Sequence, residues 1–347
     1  MSAAKDLPKT FKAAVITGAN QPLEIKQIPM LEPEAGELLL KVHACGVCHS
    51  DSNVLAGEMG GPPSISRLGH EFIGTVVATG AGVSQWQAGD LVGGAWHGGH
   101  DGHCKSCSRG DFQMCEREQV NGVSRDGGYG EYAVLRAEAA VRIPKELAQG
   151  DLAAWAPFLC AGVTVFNGMR RMGVMAGDVV AVQGLGGLGH LAVQYARKMG
   201  YRTVALSRGE GKRFFAMELG AHDYIDTSAG DAAEQLQRLG GAALIVVTAP
   251  SADAITPLIG GLAARGTLLI HTAIGPVPVN TVAMVVKALV VRGWPSGHAL
   301  DSQEAIQFAR QNDVRCMVEK FPLEQANEAM AHMLSGKARF RAVLTMD

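Results

Sequence analysis

The sequence predicts an α/β protein of two domains, one a barrel or folded β-sheet and the other a doubly wound parallel sheet. Three observations predict this. The chain has 347 residues, longer than one ordinary domain, so two are the default expectation. Up to about residue 150, short β-branched runs alternate with Gly, Pro and Asp. Beyond it, strands alternate with amphipathic helices, and a glycine-rich turn joins the first such strand to its helix.

In the first part, "AAVIT", "LLLKVHA", "FIGTVVATG", "DLVGGAW" and "GEYAVL" read as strands, with the cysteines and histidines on the loops between them. "GDVVAVQGLGGLGHLAVQYARKMG" reads as strand, turn and helix, and "YRTVALS" as a second strand followed by a helix over "KRFFAMELG". "YID", "ALIVVTAP" and "GTLLIHTA" supply further strands, with helices over "DAAEQLQRLG" and "DAITPLIGGLA" between them. Such alternation implies parallel βαβ units. After about residue 298 come two amphipathic helices, "SQEAIQFARQN" and "LEQANEAMAHMLSG", and a last strand, "RAVLTM".

Composition narrows the function classes. The formal charge is −2 and no Lys/Arg-rich run stands out, so nothing marks a nucleic-acid partner. The N-terminus lacks the apolar core of a signal peptide. The most apolar run, "TVAMVVKALVVRG", is interrupted by Lys287 and too short to span a bilayer. A soluble, cytoplasmic protein acting on a small molecule is expected. Seven cysteines, an odd number with C-x2-C twice, argue for metal ligation rather than disulfides.

Gly184, Gly186 and Gly189, with Gly187 in the same turn, form G-x-G-x-x-G directly after the strand "VVAVQ" and before a helix. The first glycine allows the tight turn and the second lets backbone approach a pyrophosphate. The third permits close helix–strand packing, with the phosphates at the positive helix N-terminus. A free ribose diol wants Asp or Glu at the end of the next strand. That strand ends instead on Ser207 and Arg208, with Lys212 shortly after. A hydroxyl followed by cations suits a 2′-phosphate, so NADP(H) is expected over NAD(H); Glu210 is the residue that could hold a ribose instead. Thr248 to Pro250, His271 to Ala273 and Trp294 to Ser296 end successive strands, where an open parallel sheet lines its ligand crevice.

Two clusters have metal-ligand character. Cys48 in "CGVCHSD", His70 in "GHEFIG" and Cys160 in "FLCAGVT" offer two thiolates and an imidazole from three segments. Three protein ligands leave a fourth position open, the composition of a catalytic zinc. Glu71 could enter or leave that position, and Asp51 could accept the other imidazole proton of His70. Cys104, Cys107 and Cys115 form C-x2-C-x7-C with no fourth cysteine in "GGHDGHCKSCSRGDFQMC". Asp101, His100 and His103 all offer a fourth ligand there.

"CGVCHSD", "LCAGVTVF" and the pattern G-H-E-x2-G-x5-G-x2-V, met by Gly69, His70, Glu71, Gly74, Gly80 and Val83, resemble zinc-dependent alcohol dehydrogenases of the medium-chain dehydrogenase/reductase superfamily. The likeness is to the yeast and bacterial alcohol dehydrogenases and to the cinnamyl alcohol dehydrogenases. It runs from about residue 11 to the C-terminus. The resemblance implies a GroES-like β-barrel catalytic domain, 1–157 with 298–347, around a Rossmann domain, 158–297. It selects Cys48 over Cys45 as the catalytic-zinc thiolate and places Asp101 at the first position of a structural-zinc lobe. Two zinc ions per chain are thus implied. It gives Ser50 the substrate hydroxyl's proton, His49 and Arg341 the cofactor pyrophosphate, and Trp96 a wall of the substrate pocket. Relatives often end the proton relay on a histidine where this chain has Asn53. The implied activity is hydride transfer between NADP(H) and a primary alcohol or aldehyde, by a homodimer or homotetramer. Reduction of an activated C=C bond on the same scaffold, or NADP(H) binding without catalysis, are the competing readings.

Overall fold

The computed structural model describes residues 7–61, 63–249, 251–273 and 275–346. They fall into two compact units. One ends at Cys160 and includes Ser296–Gln307 and the segment from Cys316; the other is Ala161–Pro295 with Phe308–Arg315. These limits correct the boundaries expected at 157/158 and 297/298. Cys160 stays with the first unit, and the second part of the helix Ala299–Asn312 goes with the parallel sheet. Its Phe308 ring packs on Phe166 and Tyr195 of that unit, which draws the segment there.

The spine of the first unit is the strand Glu37–Gly46. It pairs antiparallel with Phe72–Thr79, with Tyr132–Arg136 and with Arg341–Thr345 in a seven-stranded sheet. Leu38, Leu40, Val42, Phe72, Leu135 and Leu344 form its core, all fully buried. Two register shifts, at Leu39/Leu40 and Val42/Ala44, bend the spine so that three partners fit along one strand. The chain just after His70 and Glu71 is anchored by Phe72. A Cβ at Gly94 would lie 2.1 Å from its ring, so only glycine leaves the slot that the ring fills. Burying such a ring contributes about 2–3 kcal/mol. This packing fixes the two site residues in front of it.

Two expectations are corrected here. The segment after Cys48 is a helix, His49–Leu55, and not a loop. Between the two C-terminal helices lies a further strand, Val318–Pro322, which pairs parallel with Arg341–Thr345.

The second unit is a six-stranded parallel sheet. Its order is Asp223–Asp226, Arg202–Ser207, Val179–Gln183, Ala242–Val247, Leu262–Ile270, Val290–Gly293, which in chain order is third, second, first, fourth, fifth, sixth. That is the doubly wound dinucleotide-binding topology, whose ligand crevice opens where the order reverses, between the first and fourth strands. Strand residues Val180–Val182 and Leu244–Val247 are buried on both faces, as parallel strands covered by helices must be. "DAITPLIGGLA" is not one helix: Ala252–Ile255 is α-helical and Thr256–Gly261 tightens to 3-10, because Pro257 has no N–H to continue the ladder. No single helix among the described residues is long and apolar enough to cross a membrane.

Candidate active site and metal centres

Four ligand groups of the first unit converge. One ligand atom each from Cys48, His70, Glu71 and Cys160 lies within 4.8 Å of the others. Cys48 occupies the N-cap of His49–Leu55, and Asp51, three residues on, reaches back to accept its N–H at 2.8 Å. The other oxygen of Asp51 is 3.1 Å from His70 Nδ1. With Asp51 Oδ1 at ion-pair distance from Nδ1, a proton is favoured on Nδ1 and the lone pair on Nε2, the tautomer a metal ligand needs. Cys160 closes the 3-10 turn Ala156–Leu159, and its Sγ is 4.0 Å from that of Cys48. A disulfide needs about 2.05 Å; a tetrahedron with bonds of about 2.3 Å has sulfur–sulfur edges of about 3.8 Å. The separation therefore fits a zinc ion.

The charges of the cluster are strongly coupled. Cys48 is held well below the usual thiol range, first by a hydrogen bond from Cys160 and, against the cost of burial, by His70 and Arg341. Burial pushes the Glu71 carboxyl up to about 7, although Arg341 pulls the other way. Arg341 donates from Nη2 to Glu71 Oε1, and both are buried. Besides the pyrophosphate contact that the resemblance implies for Arg341, its guanidinium has a carboxylate of the metal cluster as partner. Glu71 Oε2 has no hydrogen-bond partner among the described residues. A buried carboxylate oxygen left open beside two sulfurs and an imidazole is what an ion would satisfy.

Ser50 Oγ lies 3.8 Å from Cys48 Sγ, within the same pocket of groups. The Trp96 ring meets the His70 ring edge-on, with centroids 5.0 Å apart. His49 is exposed on the first turn of the short helix, and Asn53 is one turn further along it. Tyr129 was not singled out by sequence, yet its hydroxyl donates to Asp51 Oδ2 at 3.0 Å. The glycines around it, in "DGGYGE", were the available signal.

The second cluster is Asp101, Cys104, Cys107 and Cys115. Cys104 and Cys115 Sγ are 3.8 Å apart, again a tetrahedral edge rather than a disulfide. Backbone N–H groups point at the sulfurs: Asp101 N and Arg117 N to Cys115 Sγ at 3.4 and 3.3 Å, and Cys107 N to Cys104 Sγ at 3.5 Å. Asp101 Oδ1 accepts from His103 N and Cys104 N, both at 2.9 Å, and the backbone bonds hold its carboxyl well below the usual range. Of the three residues offered by sequence as the fourth arm, Asp101 is the one gathered with the cysteines. His100 stacks on Phe112 and meets His97 at 3.0 Å, and the His103 side chain is 74% exposed.

In the second unit the glycine turn behaves as its spacing suggests. Gly184 has φ +95°, and a Cβ there would meet Ala249 at 2.8 Å. A Cβ on Gly189 would lie 2.0 Å from the Gly184 carbonyl oxygen, whereas Gly186 faces open space. Gly187 lies between them, half-buried. Thr248, after the fourth strand, donates to Gln183 O at 2.8 Å and so stitches the crevice at the reversal of strand order. Lys212 Nζ reaches Leu185 O in the glycine turn at 3.3 Å. Ser207 is half-buried and Arg208 exposed beside it. Asp226, unnoticed in the sequence, accepts from Gly209 N at 2.7 Å and anchors that corner. Glu210 is engaged by Arg213 through two bonds, which commits the carboxylate that could have held a ribose.

His271 packs against Gly168, where a Cβ would lie 2.4 Å from its ring, and burial pushes its imidazole down to about 4. Trp294 is flanked by Arg292 and Arg171, with guanidinium carbons 5.0 and 5.8 Å from its ring. Ser296, expected with this group, belongs to the first unit, and Pro250 lies outside the described residues.

A chain that carries a doubly wound dinucleotide sheet in one unit and a barrel-type sheet with two sulfur-rich ligand clusters in the other is a nicotinamide- and zinc-dependent oxidoreductase. Comparison with known proteins narrows that class. Residues 34–145 match the alcohol dehydrogenase GroES-like domain, and 187–311 match the zinc-binding dehydrogenase domain. The chain is 53% identical over 343 residues to the alcohol dehydrogenase patD of Penicillium expansum, covering 99% of this chain and 100% of that one. A cinnamyl alcohol dehydrogenase of Sorghum bicolor superposes with TM-score 0.88 at 28% identity, covering 97% of this chain and 98% of that one. A zinc-binding dehydrogenase of Sinorhizobium meliloti, solved bound to NADP, gives 0.86 at 26%, covering 98% and 100%. The chain belongs to the zinc-type medium-chain alcohol dehydrogenases. It is an oxidoreductase of small alcohols that uses zinc and a nicotinamide cofactor.

Proposed function

We propose that Cys48, His70 and Cys160 hold the catalytic zinc, that Asp101, Cys104, Cys107 and Cys115 hold a second, structural one, and that the enzyme interconverts a primary alcohol and its aldehyde with NADP(H). One observation carries the catalytic assignment: two thiols, an imidazole and a buried carboxylate converge within 4.8 Å, with Ser50 against one of the sulfurs. When bound, zinc supplies Lewis-acid polarisation of the substrate oxygen and the nicotinamide supplies the hydride acceptor or donor. The chain's own residues do the rest. Asp51 orients His70, Arg341 holds Glu71 at the edge of the cluster, and Ser50 exchanges the proton of the substrate hydroxyl. Asn53 cannot titrate, so the proton leaves Ser50 through a hydrogen-bonded route or through His49. Trp96, edge-on to the His70 ring, is an aromatic wall of the substrate pocket.

For the cofactor, Gly184, Gly186, Gly187 and Gly189 take the pyrophosphate, and Ser207, Arg208 and Lys212 take the 2′-phosphate. Engagement of Glu210 by Arg213 supports NADP(H), since the carboxylate that the sequence offered to a ribose already has a cationic partner. Thr248, His271 and Trp294 supply contacts near the nicotinamide. The enzyme is a homo-oligomer: Val282, Val285 and Val286 are 70–81% exposed on the helix Thr281–Lys287, next to the edge strand Val290–Gly293. Apolar side chains beside an open strand edge are a surface that a second copy would cover.

The test is steady-state kinetics with aliphatic, aromatic and allylic aldehydes, using NADPH and NADH side by side. An allylic alcohol as product from an enal, with NADPH preferred, is expected. A saturated aldehyde would overturn the carbonyl chemistry, and an NADH preference would overturn the roles of Ser207, Arg208 and Lys212.

A further inference from the structure

Tyr129 is fully buried in the core of the first unit, 78 positions from Asp51 in the chain, and its hydroxyl ends on the Asp51 carboxylate. The chain has made room for it. Gly69, the residue before His70, has φ +103°, and a Cβ there would lie 2.5 Å from the Tyr129 ring. Two backbone bonds clamp the segments together: Gly128 N donates to Gly69 O and Tyr129 N to Leu68 O, both at 3.0 Å. A Cβ at Gly128 would meet the Phe72 ring at 2.5 Å, and one at Gly127 would meet Gly69 O at 2.1 Å. Glycine at three positions thus seats one phenol beneath the metal cluster.

The carboxylate of Asp51 accepts two hydrogen bonds, both at Oδ2, and turns its other oxygen toward the His70 imidazole. Oδ2 accepts from Cys48 N at 2.8 Å and from Tyr129 at 3.0 Å, and Oδ1 stands 3.1 Å from His70 Nδ1. Cys48 N is set by the helix N-terminus, so by itself it leaves the carboxylate plane free to turn about one hydrogen bond. A second donor from the opposite chain segment removes that freedom. We propose that Tyr129 is a positioning residue of the catalytic zinc centre: its hydroxyl fixes the rotation of Asp51 that presents Oδ1 to His70, and the Tyr129–Asp51–His70 chain thereby sets the imidazole on the metal. The proposal rests on reading Cys48, His70 and Cys160 as the zinc ligands. Burial and the neighbouring carboxylate push the phenol well above its ordinary range, so it stays a donor throughout the working pH.

The test is Tyr129→Phe, which keeps the ring and removes only the hydroxyl. Zinc release to a chelator is followed in the purified enzyme, with Cys48→Ser identifying which fraction of the zinc belongs to this centre. Outer partners of metal-bound histidines are worth about 10–100-fold in metal affinity, and Tyr129, one bond further out, is expected to speed release by roughly tenfold. The cobalt-substituted enzyme should show a shifted d–d spectrum, while Tyr132→Phe, a half-buried tyrosine of the same unit, should leave both readouts at the wild-type value. In an Asp51→Asn background the tyrosine has nothing to act through, so adding Tyr129→Phe should change release no further. Wild-type release and an unchanged cobalt spectrum in Tyr129→Phe overturn the proposal, as does an equally large effect in the Asp51→Asn background. A wild-type enzyme whose zinc content is untouched by Cys48→Ser overturns the reading of the cluster itself, which is a separate failure.

Discussion

Arg341→Met should cost the zinc-free enzyme about 3–5 kcal/mol at pH 8, because it leaves the Glu71 carboxylate buried and uncompensated. Both side chains are almost wholly inside, at 5% exposure for Arg341 and 0% for Glu71. The pH dependence sharpens the prediction. The Glu71 carboxyl is raised in the folded chain from 4.5 to about 7. A raised carboxyl binds its proton more tightly folded than unfolded. Its contribution is therefore fully present below pH 4.5 and is lost as pH rises through about 7, by about 3 kcal/mol in all. Removing Arg341 takes away the cation that restrains the rise. The variant should go on losing stability above pH 7, where the wild type levels off, so its cost at pH 6 should be smaller than at pH 8 by up to about 1.4 kcal/mol. Urea unfolding of chelator-stripped protein at pH 6 and 8 measures this, and the same substitution in a Glu71→Gln background should cost less. A cost that is equal at the two pH values, or below about 1 kcal/mol at pH 8, would refute the reasoning.

Three further outcomes are expected. Gly189→Ala places a Cβ 2.0 Å from the Gly184 carbonyl oxygen, a backbone atom that cannot swing away. Cofactor affinity by fluorescence titration should fall at least tenfold, with an overpacking cost of about 1–3 kcal/mol in unfolding experiments. His271 is lowered to about 4, so the unfolded chain binds its proton first and the stabilisation present above pH 6.5 is lost as pH falls. Between pH 7 and pH 5 that is about 2 kcal/mol, which a His271→Asn variant should not lose. Asp101→Asn keeps an acceptor for His103 N and Cys104 N but gives up the anionic ligand. Its second zinc should leave to chelator faster while turnover of freshly loaded enzyme stays intact; unchanged release would return the fourth position to His100 or His103.

The parts of the fold that were legible in the sequence are those written in local spacing. The glycine turn at 184–189 is written in its own spacing: Gly184 and Gly189 are closely approached, and Gly186 faces the open space that its place in the motif predicts. The C-x2-C-x7-C lobe folds on itself between Asp101 and Cys115, so its three cysteines are legible as one cluster, while the choice among Asp101, His100 and His103 is not. Helix His49–Leu55 is not legible in the sequence because it has seven residues, no Ser, Thr, Asn or Asp at its N-cap, and a cap built by Asp51 from inside. The boundary near residue 308 follows from aromatic contacts with Phe166 and Tyr195, which no local pattern encodes. Arg341 and Glu71 meet across 270 positions, and Tyr129 and Asp51 across 78. Such pairings exist only once the sheet has brought its strands together, so the polar layer beneath the metal cluster is the part that only the structure reveals.

The central claim, that Cys48, His70 and Cys160 hold the zinc on which turnover depends, is tested most directly by measuring zinc content and aldehyde reduction together in Cys48→Ser. The account predicts a folded protein that keeps the zinc of the Asp101 lobe, loses the other, still binds NADPH and has no measurable turnover. Full turnover with one zinc fewer, or undiminished zinc in that variant, would contradict it.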